Sequence, residues 1–199
     1  MTFSLRPWRI TQQGVVALLL ACACAWFSLA WSGQAHITLT EPLITDGQLT
    51  MDLDASIDLS PVVRTAAERG VPLYFSVDLK ITAYRWWWLD KVLVETTLTR
   101  RVTYNALTRQ WRVASGDLFL PVASLDEAMA VIRQVRGWPI AAVDQFEPGA
   151  RYDGLVRIRL DTSALARPMR LDATNRGAWS LSSSWAPFDF SIRREDPAQ

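Results

Sequence analysis

The stretch Leu49-Thr50-Met51-Asp52-Leu53-Asp54-Ala55-Ser56-Ile57-Asp58-Leu59-Ser60 decides the fold class. Its odd positions are all apolar and its even positions all polar. That period of two belongs to a strand that buries one face and wets the other. Asp52, Asp54 and Asp58 on the polar row make it the solvated side of an antiparallel sheet.

Asp46-Gly47 just upstream is a hairpin turn signal, because both residue types tolerate positive φ. A two-residue turn there would put Ile37, Leu39 and Leu43 on the same face as Asp52 and Asp54. The pattern therefore requires either a bulge that shifts the register or a first strand covered on both sides.

Downstream, Ser60 caps and Pro61 opens a short helix, Pro61 to Arg69, closed by Gly70 and barred from continuing by Pro72. Alternation then resumes. Val71, Leu73, Phe75, Val77, Leu79, Ile81 and Ala83 point inward, followed by Val92, Val94, Leu98, Val102 and Tyr104 on the next strand. A hairpin turning at Leu89-Asp90 aligns these faces and sets Asp78 opposite Arg101. Arg100 then interrupts the apolar face opposite Leu79. It needs a carboxylate or carbonyl partner, or else a bulge at Arg100-Arg101 turns one of the two outward; the bulge is preferred.

Asn105 to Thr108 turns the chain into Arg109 to Ser115, with Trp111 and Val113 inward. Ser124 and Glu127 form a capping box for a second helix, Leu125 to Arg136. Its stripe is Leu125, Ala128, Met129, Ile132 and Val135, with Gly137 beyond. Tyr152 to Leu160, Ala178 to Ser183 and Phe188 to Ile192 read as further strands. The expected fold is mainly β (α+β): an antiparallel β-sandwich or half-open barrel with two short helices.

The first 35 residues read as a targeting segment. Arg6 and Arg9 precede an uncharged apolar run, Val15 to Trp31, and Gly33 and Ala35 meet the small-x-small rule for signal peptidase. Cleavage before His36 is expected, leaving one domain, 36–199. Two alternatives stand beside it: the run remains as an uncleaved membrane anchor, or Cys22 in Leu19-Leu20-Ala21-Cys22 is lipidated. All three readings place the chain in the periplasm or cell envelope, with membrane contact only through this segment.

Composition excludes more chemistry than it suggests. The 199-residue chain has net charge +1 with scattered basic residues, so nucleic acid is not an expected partner. Both cysteines, Cys22 and Cys24, lie in the leader, and the single histidine is His36. A thiol nucleophile, a Cys/His zinc site and a Ser-His-Asp triad are therefore excluded beyond residue 36. The only lysines are Lys80 and Lys91, both on or beside the long hairpin, which argues against a Ser-Lys dyad. There is no phosphate-binding glycine loop, and no cofactor is expected. Paired carboxylates remain the one route to hydrolysis, with Asp52, Asp54 and Asp58 as candidates, although a polar outer face explains them as well.

The aromatic residues are more informative. Tyr74, Tyr84, Trp86 and Trp88 share a predicted outer face, with Trp87 opposed to them. Tryptophan and arginine anchor binding surfaces, so Tyr84, Arg85, Trp86 and Trp88, with Arg109 and Arg112 on the adjacent hairpin, form the candidate binding surface. Burial under another layer is the competing reading of these rings.

Gly70-Val71-Pro72-Leu73-Tyr74-Phe75, Arg85-Trp86-Trp87-Trp88 and Tyr104-Asn105-Ala106-Leu107-Thr108-Arg109-Gln110-Trp111-Arg112, with Leu125-Asp126-Glu127-Ala128 and Arg159-Leu160-Asp161, carry a resemblance. Over residues 40–192 the chain resembles an uncharacterised family of exported proteobacterial proteins known only as a domain of unknown function. Its aromatic triplet more often reads Trp-Tyr-Trp, so Trp87 departs from the pattern. The resemblance implies export and one domain. The family's genes often lie beside a sensor kinase and response regulator, which implies an accessory to envelope sensing. No catalytic residue carries over.

The resulting expectation is a non-enzymatic periplasmic or envelope interaction module whose partner is an envelope protein or polysaccharide. A carbohydrate-active hydrolase using two carboxylates is one alternative, and a lipid carrier or envelope-assembly factor is another.

Overall fold

The computed structural model describes residues 33–83, 91–165 and 176–192, which fall in one compact unit spanning 32–199. Strands β1 (Gln34–Thr45) and β2 (Gln48–Asp58) form the first hairpin. Only Asp46 (φ 51°) and Gly47 (φ 72°) sit in its turn. Two left-handed residues give a turn whose twist matches the flanking strands.

The register conflict in this hairpin resolves as a bulge. Pairing passes from Leu39↔Asp54 to Ile37↔Ala55, so Thr38 is the extra residue. On the turn side of it, Leu39 and Leu43 share the outer face with Asp54 and Thr50 and are exposed. Beyond it, Ile37 and Ala35 return to the inner face opposite Ala55 and Ile57. Ala35 is buried. A Cβ on the neighbouring Gly33 would come within 2.8 Å of the Asp58 carbonyl oxygen. The sheet therefore begins at Gln34 with Gly33 packed beside it, and His36 lies within a strand.

Strand β7 (Gln134–Ala142) pairs with the other edge of β2, completing an antiparallel sheet in the order β1-β2-β7. The second sheet has six antiparallel strands in the order β6-β5-β4-β3-β8-β9. These are β3 (Leu73–Ala83), β4 (Lys91–Asn105), β5 (Gln110–Ser115), β6 (Leu118–Val122), β8 (Arg151–Leu160) and β9 (Ala186–Ser191). The inner rows of both sheets, Leu49, Met51, Leu53, Ala55 and Ile57 on one and Leu73, Phe75, Val77, Leu79 and Ile81 on the other, are buried in one core. The fold is the expected mainly antiparallel β-sandwich, with short helices.

Helix α1 (Pro61–Glu68) starts as the sequence predicts. The Ser60 hydroxyl accepts from the Val63 N–H at 3.3 Å and donates to the Ala178 carbonyl at 2.7 Å. In α2 (Leu125–Arg133) the Ser124 hydroxyl accepts from Glu127 N–H, and the Glu127 carboxylate reaches back to Ala123 N–H at 2.7 Å. Both motifs satisfy donors that a helix start leaves unpaired.

The fold departs from the sequence reading at four places. Helix α2 ends at Arg133, not Arg136: Gln134 is already extended and β7 follows without a loop. Gly137 (φ 57°) is not the helix cap. It lies where the β2–β7 register shifts, between Met51 and Leu53, and donates its N–H to Asp52 Oδ1 at 2.7 Å. A glycine with positive φ is what such a bulge accepts.

The second correction concerns the β3–β4 pairing. Asp78 lies opposite Thr97 and Tyr74 opposite Arg101, a slide of four residues along β4 from the expected register. An even slide preserves which face each side chain occupies. The expected turn at Leu89-Asp90 lies outside the described residues. Val92, expected inward, is turned out by an irregularity between Ile81 and Thr82 and is exposed.

Third, Leu118–Val122 is a strand that alternation could not reveal, because its residues are apolar without a break. Fourth, Ala178 to Ser183 is not a strand. Helix α3 (Arg176–Trp179) occupies its start, and a single bridge, Ser182↔Arg159, touches β8.

A candidate anion-binding pocket on the outer sheet face

The outer face of the six-stranded sheet follows from the side-chain alternation. Tyr74, Arg101, Ala114 and Phe119 stand opposite one another on β3, β4, β5 and β6, forming one row across four strands. The next row runs Thr103, Arg112, Pro121. The Ala114 methyl is the shortest side chain among them, and a pocket of about 300 Å³ lies here, with Pro72 and Asn105 completing its rim. Asn105 is itself fixed, since its Oδ1 accepts from the N–H groups of Leu107 and Thr108.

Two guanidinium groups, Arg101 and Arg112, face this pocket, and among the described residues no carboxylate lines it. Both side chains are exposed, and among the described residues neither has an ion pair or hydrogen bond. Two uncompensated guanidiniums beside a tyrosine and a phenylalanine suit a planar or tetrahedral anion carried on a partly apolar body.

The sequence-based site is met only in part. Arg112 lines the pocket. Arg109 (φ 53°) is exposed in the β4–β5 turn and does not line it. Tyr84, Arg85, Trp86 and Trp88 lie outside the described residues. The sequence reading missed Arg101, Thr103 and Phe119 as site residues and placed Tyr74 on the correct face without a role. The signal was available in parity: Arg101 and Thr103, like Arg112 and Ala114, are two apart, so each pair shares a face.

The same face continues into a second polar cluster, which is internally satisfied. Asp78 accepts from Arg157 Nε and Arg159 Nε, each at 2.9 Å, and from the Thr97 hydroxyl at 3.0 Å. Its expected partner, Arg101, is replaced by these two arginines of β8. Arg159 also meets Asp161 at 3.2 Å, and the Trp185 ring lies 4.5 Å from the Arg157 guanidinium carbon. Burial opposes ionisation of Asp78, but hydrogen bonds from Arg159, Arg157 and Thr97 outweigh it and hold the carboxyl below the usual range. Asp161 is likewise held down: burial opposes its ionisation, while Ser163 and Arg159 favour it. Asp78 is 9% exposed, an interior tie rather than an open site.

Arg100 keeps its inward direction, with no bulge at Arg100-Arg101. It donates to the carbonyls of Val131 at 2.7 Å and Gln134 at 2.9 Å, at the end of α2. Burial lowers its pKa. Of the acidic row, Asp52 and Asp54 are bound by Arg136, and Asp52 also holds Gly137. Among the described residues no three His, Cys, Asp or Glu side chains gather to hold a metal, and no helix is long and apolar enough to cross a membrane.

A family model described as a domain of unknown function, DUF4390, matches residues 32–189, and the chain belongs to that family. Comparison with curated proteins and with solved structures gives no match.

Proposed function

We propose that this member of a domain-of-unknown-function family is an exported, non-enzymatic binding module of the cell envelope, and that its ligand presents an anionic group to the pocket of Tyr74, Arg101, Arg112 and Phe119. The observation that carries this reading is the pair of guanidiniums converging on one pocket with no carboxylate among the described residues to neutralise them. An envelope protein or polysaccharide bearing acidic groups would supply the missing charge. Export rests on Arg6, Arg9 and the apolar run Val15 to Trp31. A role beside an envelope sensor kinase would call for recognition rather than turnover, which such a pocket suits.

The paired-carboxylate hydrolase gains no support, because Asp52 and Asp54 are committed to Arg136 and Gly137. A lipid carrier gains none either, since Phe75, Met51, Leu53, Leu79 and Ile81 fill the inner rows.

The test is a titration of the purified protein with inorganic phosphate and with glutarate, followed by heteronuclear NMR. Shifts should concentrate at Arg101, Thr103 and Arg112, and the Arg101→Gln/Arg112→Gln variant should lose them while keeping the remaining spectrum. A wild-type protein that responds to neither anion would sink the assignment. For the address, the protein should partition with the envelope fraction of its host, and recovery in the cytosol would refute export.

A further inference from the structure

We infer that β6 is a docking edge for an extended, acidic segment of a partner polypeptide, which joins the six-stranded sheet as a seventh strand. This rests on the pocket reading above and names what carries the anion. Strand β6 ends the sheet, so one side of its backbone has no ladder partner among the described residues. Leu118, Phe119 and Leu120 are 79%, 61% and 50% exposed, and they alternate between the two faces. Natural edge strands are normally blunted by charge, bulges or cover, because an apolar unpaired edge recruits another strand. Residues 118–122 carry no charge, and Pro121 removes only one donor.

The edge and the pocket are continuous, because Phe119 belongs to both. Arg112 lies opposite Pro121 across the β5–β6 ladder. An added strand would run about 10 Å from β5, two strand spacings away. That gap is within the combined reach of an arginine passing over the proline ring and a glutamate pointing back. Charge selects the sign of the partner. From Arg100 to Val122 the chain has four arginines and one acid, Asp117, and only Arg100 has its guanidinium engaged among the described residues. A second copy is a poorer occupant, since pairing β6 with β6 would bring the same arginines together and like charges oppose association.

The probes are short acetylated peptides: alternating valine and glutamate, alternating valine and lysine, and the glutamate peptide with prolines replacing the valines. Amide hydrogen exchange is read on the full chain. The glutamate peptide should protect amides within 118–122, and Arg112→Glu should weaken it about tenfold or more, as loss of a charge contact with reversal implies. The lysine peptide should bind the Arg101→Glu/Arg112→Glu variant in preference to the wild type, and the proline peptide should protect nothing.

Equal binding of both charged peptides to the wild type, or binding without protection of β6, overturns the proposal. Protection of β6 that rises with protein concentration alone would assign the edge to a second copy and also overturn it. Phosphate or glutarate shifts at Arg101 and Arg112 in the absence of peptide protection would defeat strand addition while leaving the pocket reading intact.

Discussion

Arg100 lies directly opposite Phe75 in the β3–β4 ladder, so a guanidinium occupies an inward position between Leu98 and Val102 on a mostly apolar face. The helix that packs beneath it explains this. The last carbonyls of α2 have no partner within the helix, and the turn that would normally supply one is absent because β7 begins at once. Arg100 takes the Val131 carbonyl of the last turn and the Gln134 carbonyl just past it, and complements the negative end of the helix dipole.

Arg100→Leu should therefore destabilise the domain by about 2–3 kcal/mol, the range for charge-assisted hydrogen bonds whose acceptors are left behind. Arg100→Lys should recover part of that. Urea unfolding of the purified domain measures both, and a leucine variant as stable as the wild type would refute the capping role.

Asp78 gives a pH signature. Its carboxyl and that of Asp161 are held below the ordinary value of 3.8. A depressed native pKa adds stability that is complete above the unfolded-state value and is lost as pH falls through the native one. Wild-type stability should consequently decline on acidification below 3.8, and Asp78→Asn should flatten that decline. At neutral pH the same change should cost about 2 kcal/mol, because the amide oxygen offers Arg157 and Arg159 an acceptor without the negative charge they share. Denaturant midpoints across an acid series test both parts.

Gly154 sits opposite Phe188 in the β8–β9 pair, and a Cβ at 154 would strike the Phe188 ring. The aromatic covers a glycine that leaves it room, a device that protects the sheet near its edge. Gly154→Ala should cost about 2 kcal/mol through overpacking and displace Phe188 from its contact with Phe190. The loss should shrink in Phe188→Leu/Gly154→Ala relative to Phe188→Leu alone, which a double-mutant cycle reads directly.

Deleting Thr38 should remove the β1 bulge and leave the pairing on both sides of it unchanged, because Thr38 is the residue with no partner. Ala35 and Ile37 would stay on the inner face, opposite Ile57 and Ala55. The deletion should cost only about 1 kcal/mol, through loss of the Thr38 hydroxyl bond to the Asp54 carbonyl, whereas Thr38→Ser should be close to neutral. Thermal unfolding measures both, and a much larger loss on deletion would show that the bulge itself is required.

Much of the fold was legible wherever one physical rule acted alone. The row Leu49 to Ile57, the Asp46-Gly47 turn and both helix starts follow from alternation, φ tolerance and capping. The faces of β3 survived a slide in their register because the slide was even. What could not be read were places where long-range pairing overrode a local signal. Gly137 resembles a helix cap until β2 recruits Gln134 to Ala142. Leu118 to Val122 has no period at all, and its strand exists because β5 offers an edge. The site was half visible for the same reason: Arg112 stood out beside Trp111, but Arg101 acquired its meaning from Tyr74, Ala114 and Phe119, contributed by three other strands.

The packing of Gly33 and Ala35 places a deadline on any peptidase that would cut at Ala35. Once the sheet has closed, that bond is held in a hydrogen-bonded ladder and is no longer an accessible extended substrate, so processing there has to outrun folding. A chain that folds first would keep residues 1–35.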